Sequence, residues 1–230
     1  MGHPPGTLVF GEMKWYLSGM KPQRLLLQTQ RLQALAQAGL AYATGVHDQE
    51  RYQEIRDISV ALMGELTDEP LEKIVRVFAS EDGYQTPKVD IRAVVIRADR
   101  EMLLVSEKAD KGRWTLPGGW ADVGYTPFEI AAKEVNEETG LIVKAVRLLA
   151  LLDKKMHAHP PQPWYVYKAF IQCDLQGGEL LQGTVETARA AWFSMEEAES
   201  LPLSVDRVTL AQLKTVFQLA RDPHSIVLCD

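Results

Sequence analysis

The sequence predicts an α+β protein: a small helical module, then a domain in which strands and helices are mixed. Three observations carry this reading. Apolar residues recur at helical spacing between Pro22 and Phe78. From Lys88 the period drops to two, with Val89, Ile91, Ala93 and Val95 alternating with Asp90, Arg92 and Val94. Two further helical patterns then sit among or after the later strands.

Taken in order, residues 1–21 mix Gly, Pro and aromatic residues without periodicity and are expected to form a tail or arm. A first helix is expected over 22–38, with Leu25, Leu32, Leu35 and Ala36 on one face and Gly39 as its stop. Asp48 is the expected N-cap of a second helix, whose stripe is Tyr52, Ile55, Ile58, Leu62, Met63 and Leu66. A third follows Thr67-Asp68, with Pro70 in its first turn and Leu71, Ile74, Val77 and Phe78 inward. Asp82-Gly83 breaks the pattern, giving expected domains of 22–82 and 83–230. Strands are expected at 88–95, 102–105, 143–152, 164–173 and 190–193, and helices at 127–139 and 206–221.

Composition narrows the function classes. The chain has 230 residues, is 46% hydrophobic and carries a net charge of −6 from 31 acidic and 25 basic side chains. That is the profile of a folded globular protein, not of a disordered chain. The acidic balance disfavours a general nucleic-acid coat protein, which needs clustered Lys and Arg. Cys173 and Cys229 stand far apart without a metal-ligand spacing, so neither a disulfide framework nor a zinc site is expected. No apolar run approaches the ~20 residues of a membrane span. No basic-then-apolar secretory pattern opens the chain. A cytoplasmic protein with no membrane partner is the expectation.

The segment that carries chemistry is 116–141, LPGGWADVGYTPFEIAAKEVNEETGL. Thr126-Pro127-Phe128-Glu129 is a capping box with Pro at the first helical position, and Gly140 ends the helix. Within it Glu134, Glu137 and Glu138 share one face, where like charges repel by a few tenths of a kcal/mol per pair. A solvated face partly paired with Lys133 accounts for an isolated run of this kind. Here the carboxylates follow a Gly-Gly loop, and oxygen ligands beside a flexible backbone suit a hard divalent cation.

These residues resemble the Nudix hydrolase family, whose signature is GX5EX7REUXEEXGU with U a bulky aliphatic. Laid on the chain from Gly119, it is matched by Glu134, Val135, Glu137, Glu138, Gly140 and Leu141. Tyr125 stands where the signature has Glu, and Lys133 where it has Arg; the latter keeps a cation but loses a bidentate guanidinium. Gly83-Tyr84-Gln85-Thr86-Pro87-Lys88 and the helical module are similar to the subgroup active on CDP-choline and related X-linked nucleoside diphosphates. The resemblance implies an α/β/α sandwich around a mixed sheet and metal-dependent attack of water on a diphosphate, with Mg2+ or Mn2+ as cofactor. It implies metal binding by Glu134, Glu138, Glu137 and the Gly119 carbonyl.

Glu137 and Glu186 are both candidates for the general base, Glu186 being equally well read as a loop carboxylate. Arg92 and Trp120, with His157 and His159 of a turn-rich loop, are candidates for substrate binding. Their structural readings are a surface ion pair with Asp90 or a neighbour, core or rim packing, and exposed loop histidines. Trp114 is read as core or base-stacking, and Arg207 as helix-capping or functional. The expected function is hydrolysis of a nucleoside diphosphate linked to X, with CDP-choline first and ADP-ribose second, giving NMP and phospho-X. Hydrolysis of RNA ends or 3′-exonuclease activity, the one reading with a nucleic-acid partner, and a non-catalytic Nudix-like regulator binding a nucleotide sugar are the alternatives. The apolar faces of the helical module, too small to bury them alone, predict a homodimer.

Overall fold

The computed structural model describes residues 22–67, 70–78, 83–181 and 183–230. The expectations for residues 1–21, Asp68 and Asp82, and for the side chains of Leu71, Val77 and Phe78, fall outside what is described. The chain divides into two units. One takes the sequence up to Thr86 together with Pro161–Trp164; the other takes Pro87–Pro160 and Tyr165–Asp230.

The first unit contains α1 (Pro22–Tyr42), α2 (Val46–Leu66) and α3 (Leu71–Phe78). Helix α1 does not stop at Gly39. A Cβ there would lie 2.4 Å from the Tyr52 ring, so the glycine is the point of close approach to α2 rather than an end. Nor does Asp48 cap α2: Gly45 occupies that position and Asp48 sits in the first turn, where its charge suits the helix dipole. The buried face also differs from the expected stripe. Thr29, Gln33, Ala36 and Gln37 of α1 are buried, with Ser59, Val60 and Met63 of α2 and Ile74 of α3. Leu32, Leu35 and Ile58 are exposed. The polar members bond to one another, Ser59 Oγ donating to Gln33 Oε1 (2.8 Å) and Gln33 Nε2 to Gln37 Oε1 (3.3 Å). The inserted segment joins this unit through the Gln30 amide, which donates to the Gln162 carbonyl (2.9 Å), and through Lys73 over the Trp164 ring.

The second unit is a mixed sheet. Its strands are β1 (Lys88–Arg97), β2 (Glu101–Glu107), β3 (Arg113–Thr115), β4 (Leu141–Asp153), β5 (Val166–Gly178), β6 (Thr187–Ser194) and β7 (Leu228–Cys229). They run in the order β3-β2-β1-β5-β4-β7, with β6 also paired to β2. Strands β1 and β5 are parallel, as are β4 and β7; the other pairs are antiparallel. The helices are α4 (Pro127–Thr139), α5 (Met195–Glu199) and α6 (Leu210–Arg221).

Alternation along the strands builds two cores. Ile91, Ala93 and Val95 of β1, with Ala169 and Ile171 of β5, meet Ile130, Ala131 and Val135 of α4. Val94 and Phe170 on the opposite face meet Ala198 of α5 and Leu213, Val216 and Phe217 of α6. The α/β/α sandwich is therefore present. Trp114 lies in the second core, edge-on to Phe193, so it is a packing residue and not a base-stacking one.

Helix α6 begins later than expected. Ser204 accepts from the backbone of Arg207 and Val208 in a separate turn, and Thr209 caps the helix with Gln212. The short β3, β7 and α5 add to the elements that the sequence pattern predicts. Among the described residues no helix is long and apolar enough to cross a membrane.

Candidate active site

The loop before α4 is laid against β1. Ala93 N–H donates to the Pro117 carbonyl, Ile91 N–H to that of Gly119, and Ala121 N–H to that of Val89. At Gly118, with φ +146°, a Cβ would fall 2.0 Å from the Ile91 carbonyl, so only glycine permits this approach. A Cβ on Gly119 would come within 3.0 Å of the Glu134 carboxylate. The two glycines thus leave space for the strand on one side and for a carboxylate on the other. The Gly119 carbonyl already accepts one hydrogen bond, and its second lone pair remains.

Helix α4 starts as the sequence predicts, with Thr126 Oγ1 accepting from Glu129 N–H and Glu129 accepting from Thr126 N–H in return. Its capped start fixes the direction of the three glutamates about two to three turns later. Glu138 is buried and accepts a hydrogen bond from Gly118 N–H at 3.0 Å. Burial pushes its carboxyl up to about 8; Arg92 opposes that, while Glu107 and Glu134 add to it. Glu134 is raised too, mainly by burial, with Glu137 and Glu186 contributing and Lys133 opposing. Glu137 lies further out, its carboxylate 3.0 Å from Lys133 Nζ, and the same ammonium is 3.5 Å from Glu134. Among the described residues no three His, Cys, Asp or Glu side chains stand grouped to hold a metal as they are.

The donors nevertheless fit a divalent cation in kind. They are hard oxygens, two of them hold protons more tightly than free carboxylates do, and a lysine ammonium is already drawn between Glu134 and Glu137. Glu186 precedes β6 in a turn bound to its surroundings on two sides. Lys108 N–H donates to the Glu186 carbonyl, and Thr187 Oγ1 donates to the Glu138 carbonyl. Those bonds bring the Glu186 charge to bear on Glu134.

Arg92 is not on the surface. It is buried, its guanidinium donating to both oxygens of Asp90 and to the Leu116 carbonyl (3.1 Å). Lys168 of β5, in register with Asp90, pairs with the same carboxylate. Burial by itself would raise the Asp90 carboxyl, but these two cations hold it below the ordinary range. Lys154, which follows β4, is also buried. Burial brings its ammonium down to about 7, with Lys168 and Arg92 acting the same way and Asp206 and Asp90 opposing.

His157 and His159 are half-buried, not exposed. His157 Nε2 meets Asp230 at 2.9 Å, and His159 Nδ1 meets the Val205 carbonyl at 2.6 Å. Arg207 does not cap a helix; it pairs with Glu107 (3.3 Å) and donates to Ser204 Oγ. Trp120 is about half exposed and bridges backbone-to-backbone with Asp90.

Sequence reasoning missed Glu107, Lys154 and Lys168. The last had a signal: it occupies an inward position of β5 between Val166 and Phe170, where an apolar residue is the norm.

This arrangement, a Gly-Gly loop on a strand with carboxylates on the following helix, has a counterpart. A family model described as the NUDIX domain matches residues 86–213. The chain belongs to the Nudix hydrolase family. A second model, described as a UDP-X-like, N-terminal oligomerisation domain, matches residues 23–78. A putative ADP-ribose pyrophosphatase of Bacillus subtilis is 41% identical over 205 residues, 89% of this chain and 96% of that protein. The structure of an ADP-ribose pyrophosphatase from Streptococcus suis is 39% identical with TM-score 0.56, covering 63% of this chain and all of that one. That of a UDP-X diphosphatase is 29% identical with TM-score 0.57, covering 92% of this chain and all of that one. Nudix hydrolases generally use divalent metal ions, typically Mg2+ or Mn2+. The present chain is thus a Nudix pyrophosphatase.

Proposed function

We propose that the chain hydrolyses the diphosphate of a nucleoside diphosphate linked to X, releasing NMP and phospho-X. The observation that supports it most is Glu138. It is a buried carboxylate held by the Gly118 N–H, beside Glu134 and within the field of Arg92. A carboxylate in that position is costly unless a cation joins it.

Glu134 and Glu138 would hold Mg2+ or Mn2+, with the Gly119 carbonyl and Glu137 as further ligands. When bound, such an ion offsets diphosphate charge and lowers the pKa of a water. The chain's own residues do the rest. Glu186 or Glu137 takes the proton from the attacking water, which adds to one phosphorus while the bond from that phosphorus to the bridging oxygen breaks. Arg92 stabilises negative charge near the carboxylates, its orientation fixed by Asp90. Trp120 offers a partly exposed ring at the loop.

Of the two substrates expected from sequence, ADP-ribose is placed ahead of CDP-choline, because the relatives over most of the chain carry ADP-ribose and UDP-X in their names. The test is NMP release from ADP-ribose, UDP-glucose and CDP-choline with Mg2+ and with chelator. Metal-dependent NMP formation from at least one is expected; none from any of them would sink the reading.

For the helical module, 22–82, we propose a homodimer built through the exposed Leu32, Leu35 and Ile58, in line with the oligomerisation model it matches. Light scattering at micromolar concentration is expected to give twice the chain mass, and a monomer would refute it.

A further inference from the structure

Glu186 is the last residue of the turn before β6, and Lys108 is the first residue after β2. The ladder between these strands slips by one residue: Ser106 pairs with Arg189, but Glu107 pairs with Thr187. The slip leaves Lys108 opposite Glu186, and its N–H donates to the Glu186 carbonyl at 3.2 Å. Little else seats the turn. Gly183, Val185 and Glu186 are exposed, Val185 at 93%, and the first buried residue is Thr187. With no apolar side chain inserted, the turn is placed by hydrogen bonds.

Two sets of bonds do this, one toward α4 and one toward β2. Thr184 Oγ1 accepts from the N–H groups of Glu186 (3.3 Å) and Thr187 (3.2 Å). Thr187 gives its one hydroxyl hydrogen to the Glu138 carbonyl (2.9 Å), so in the Thr184–Thr187 hydroxyl pair (3.0 Å) Thr184 is the donor. The turn is thereby tied to the backbone of Glu138. Toward β2, the Lys108 ammonium donates to the Thr184 carbonyl and to that of Val185 (3.3 Å). Together with its own N–H, Lys108 holds three consecutive carbonyls, those of Thr184, Val185 and Glu186.

The backbone of Lys108 is anchored on both sides. Glu107 pairs with Arg207 (3.3 Å), and Asp110 accepts from Ser204 Oγ (2.6 Å). The Glu186 carboxylate has no ion pair among the described residues, whereas Glu137 is paired with Lys133 at 3.0 Å. The backbone that carries Glu186 therefore sets where its carboxylate points.

Resting on the pyrophosphatase reading above, with Glu186 as its base, we propose that Lys108 is a positioning residue: its ammonium fixes the 184–186 turn so that the Glu186 carboxylate faces the glutamates of α4. Lys108 acts through Glu186 and touches no reacting group.

The experiment uses the full chain, Mg2+ and the substrate panel above. Glu186→Gln should lower kcat by about 100-fold. Lys108→Met keeps the backbone N–H and the length of the side chain but removes the ammonium. It should lower kcat by about tenfold or more with KM within about twofold, because a displaced base weakens the transition state and not substrate binding. Lys108→Arg, which can reach both carbonyls, should recover most of the loss. The deciding arm is the double variant. Added to Glu186→Gln, Lys108→Met should change kcat by less than about twofold, since a residue acting only through Glu186 has nothing left to position.

Hydrogen exchange of the metal-free protein gives a readout independent of turnover. In Lys108→Met the amides of Glu186 and Thr187 should exchange about tenfold faster or more, with those of α4 unchanged. Thr184→Val loosens the same turn while leaving Lys108 in place and should lower kcat in the same way, which keeps the test decisive should Lys108→Met fold poorly. Equal losses from Lys108→Met with and without Glu186 overturn the proposal and make Lys108 a substrate contact or a purely structural residue. Unchanged exchange in the turn, or near wild-type kcat in Glu186→Gln, also overturns it and leaves the pyrophosphatase reading intact. Absence of NMP release by the wild type from every substrate defeats both.

Discussion

The helical unit and the sheet unit both bury polar side chains, and for different reasons. In the helical unit Gln33, Gln37 and Ser59 are neutral and bond mainly to each other, so their burial serves the α1–α2 contact. In the sheet unit Glu138, Arg92, Asp90, Lys154 and Lys168 are ionisable and gathered at one end of the sheet, beside two apolar cores that do the packing. Buried charge is expensive, and burying so much of it where the cores do not need it is what the proposed site calls for. Neutral buried groups that bond mostly among themselves cost far less and mark a packing contact.

Substitutions in the two units should therefore separate stability from activity. The largest stability effect belongs to the apolar cores. Phe170→Ala empties a fully buried position on β5 and should cost about 3–5 kcal/mol, read by denaturant unfolding of the sheet unit. Glu138→Gln should do the reverse. Turnover is expected to fall by about 100-fold or more, equivalent to about 2.7 kcal/mol on the barrier. The melting temperature should hold or rise, because a neutral amide avoids the burial cost of a carboxylate. A Glu138→Gln protein with near wild-type turnover at saturating metal would remove this residue from the site.

In the helical unit, Gln33→Ala leaves Ser59 and Gln37 each short of a partner. A cost of about 1–3 kcal/mol is expected, with kcat/KM little changed, and the comparison fails if activity drops while stability does not.

The smallest effect is chemical. Burial pushes the Cys173 thiol up to about 12, whereas Cys229 is exposed. At pH 8 the reactive thiolate of Cys173 is therefore almost absent, and a thiol alkylating agent should label Cys229 alone in the native protein. Mass mapping of the labelled peptides decides it.

The first-named features of the site were legible because they are local. A capping box, a helix period and a Gly-Gly pair are set by neighbours in sequence, so they fix α4 and its glutamates whatever the rest of the chain does. The helical unit was read less well. Apolar spacing picked out Leu32, Leu35 and Ile58, yet α1 meets α2 where Gln33 bonds Ser59 and where Gly39 lies against the Tyr52 ring. Hydrophobic pattern reports which faces seek cover, not which partner supplies it.

The sequence by itself determined the α+β class, the limits of α4 and the residues matching the Nudix signature, since each depends on spacing within a few turns. Only the tertiary structure decided that Arg92 is a buried, doubly anchored cation rather than a surface one. It likewise brought Lys168 onto the same Asp90 carboxylate from a segment far away in the chain. Burial and charge pairing at that end of the sheet depend on strand order and register, and no run of neighbouring residues encodes them.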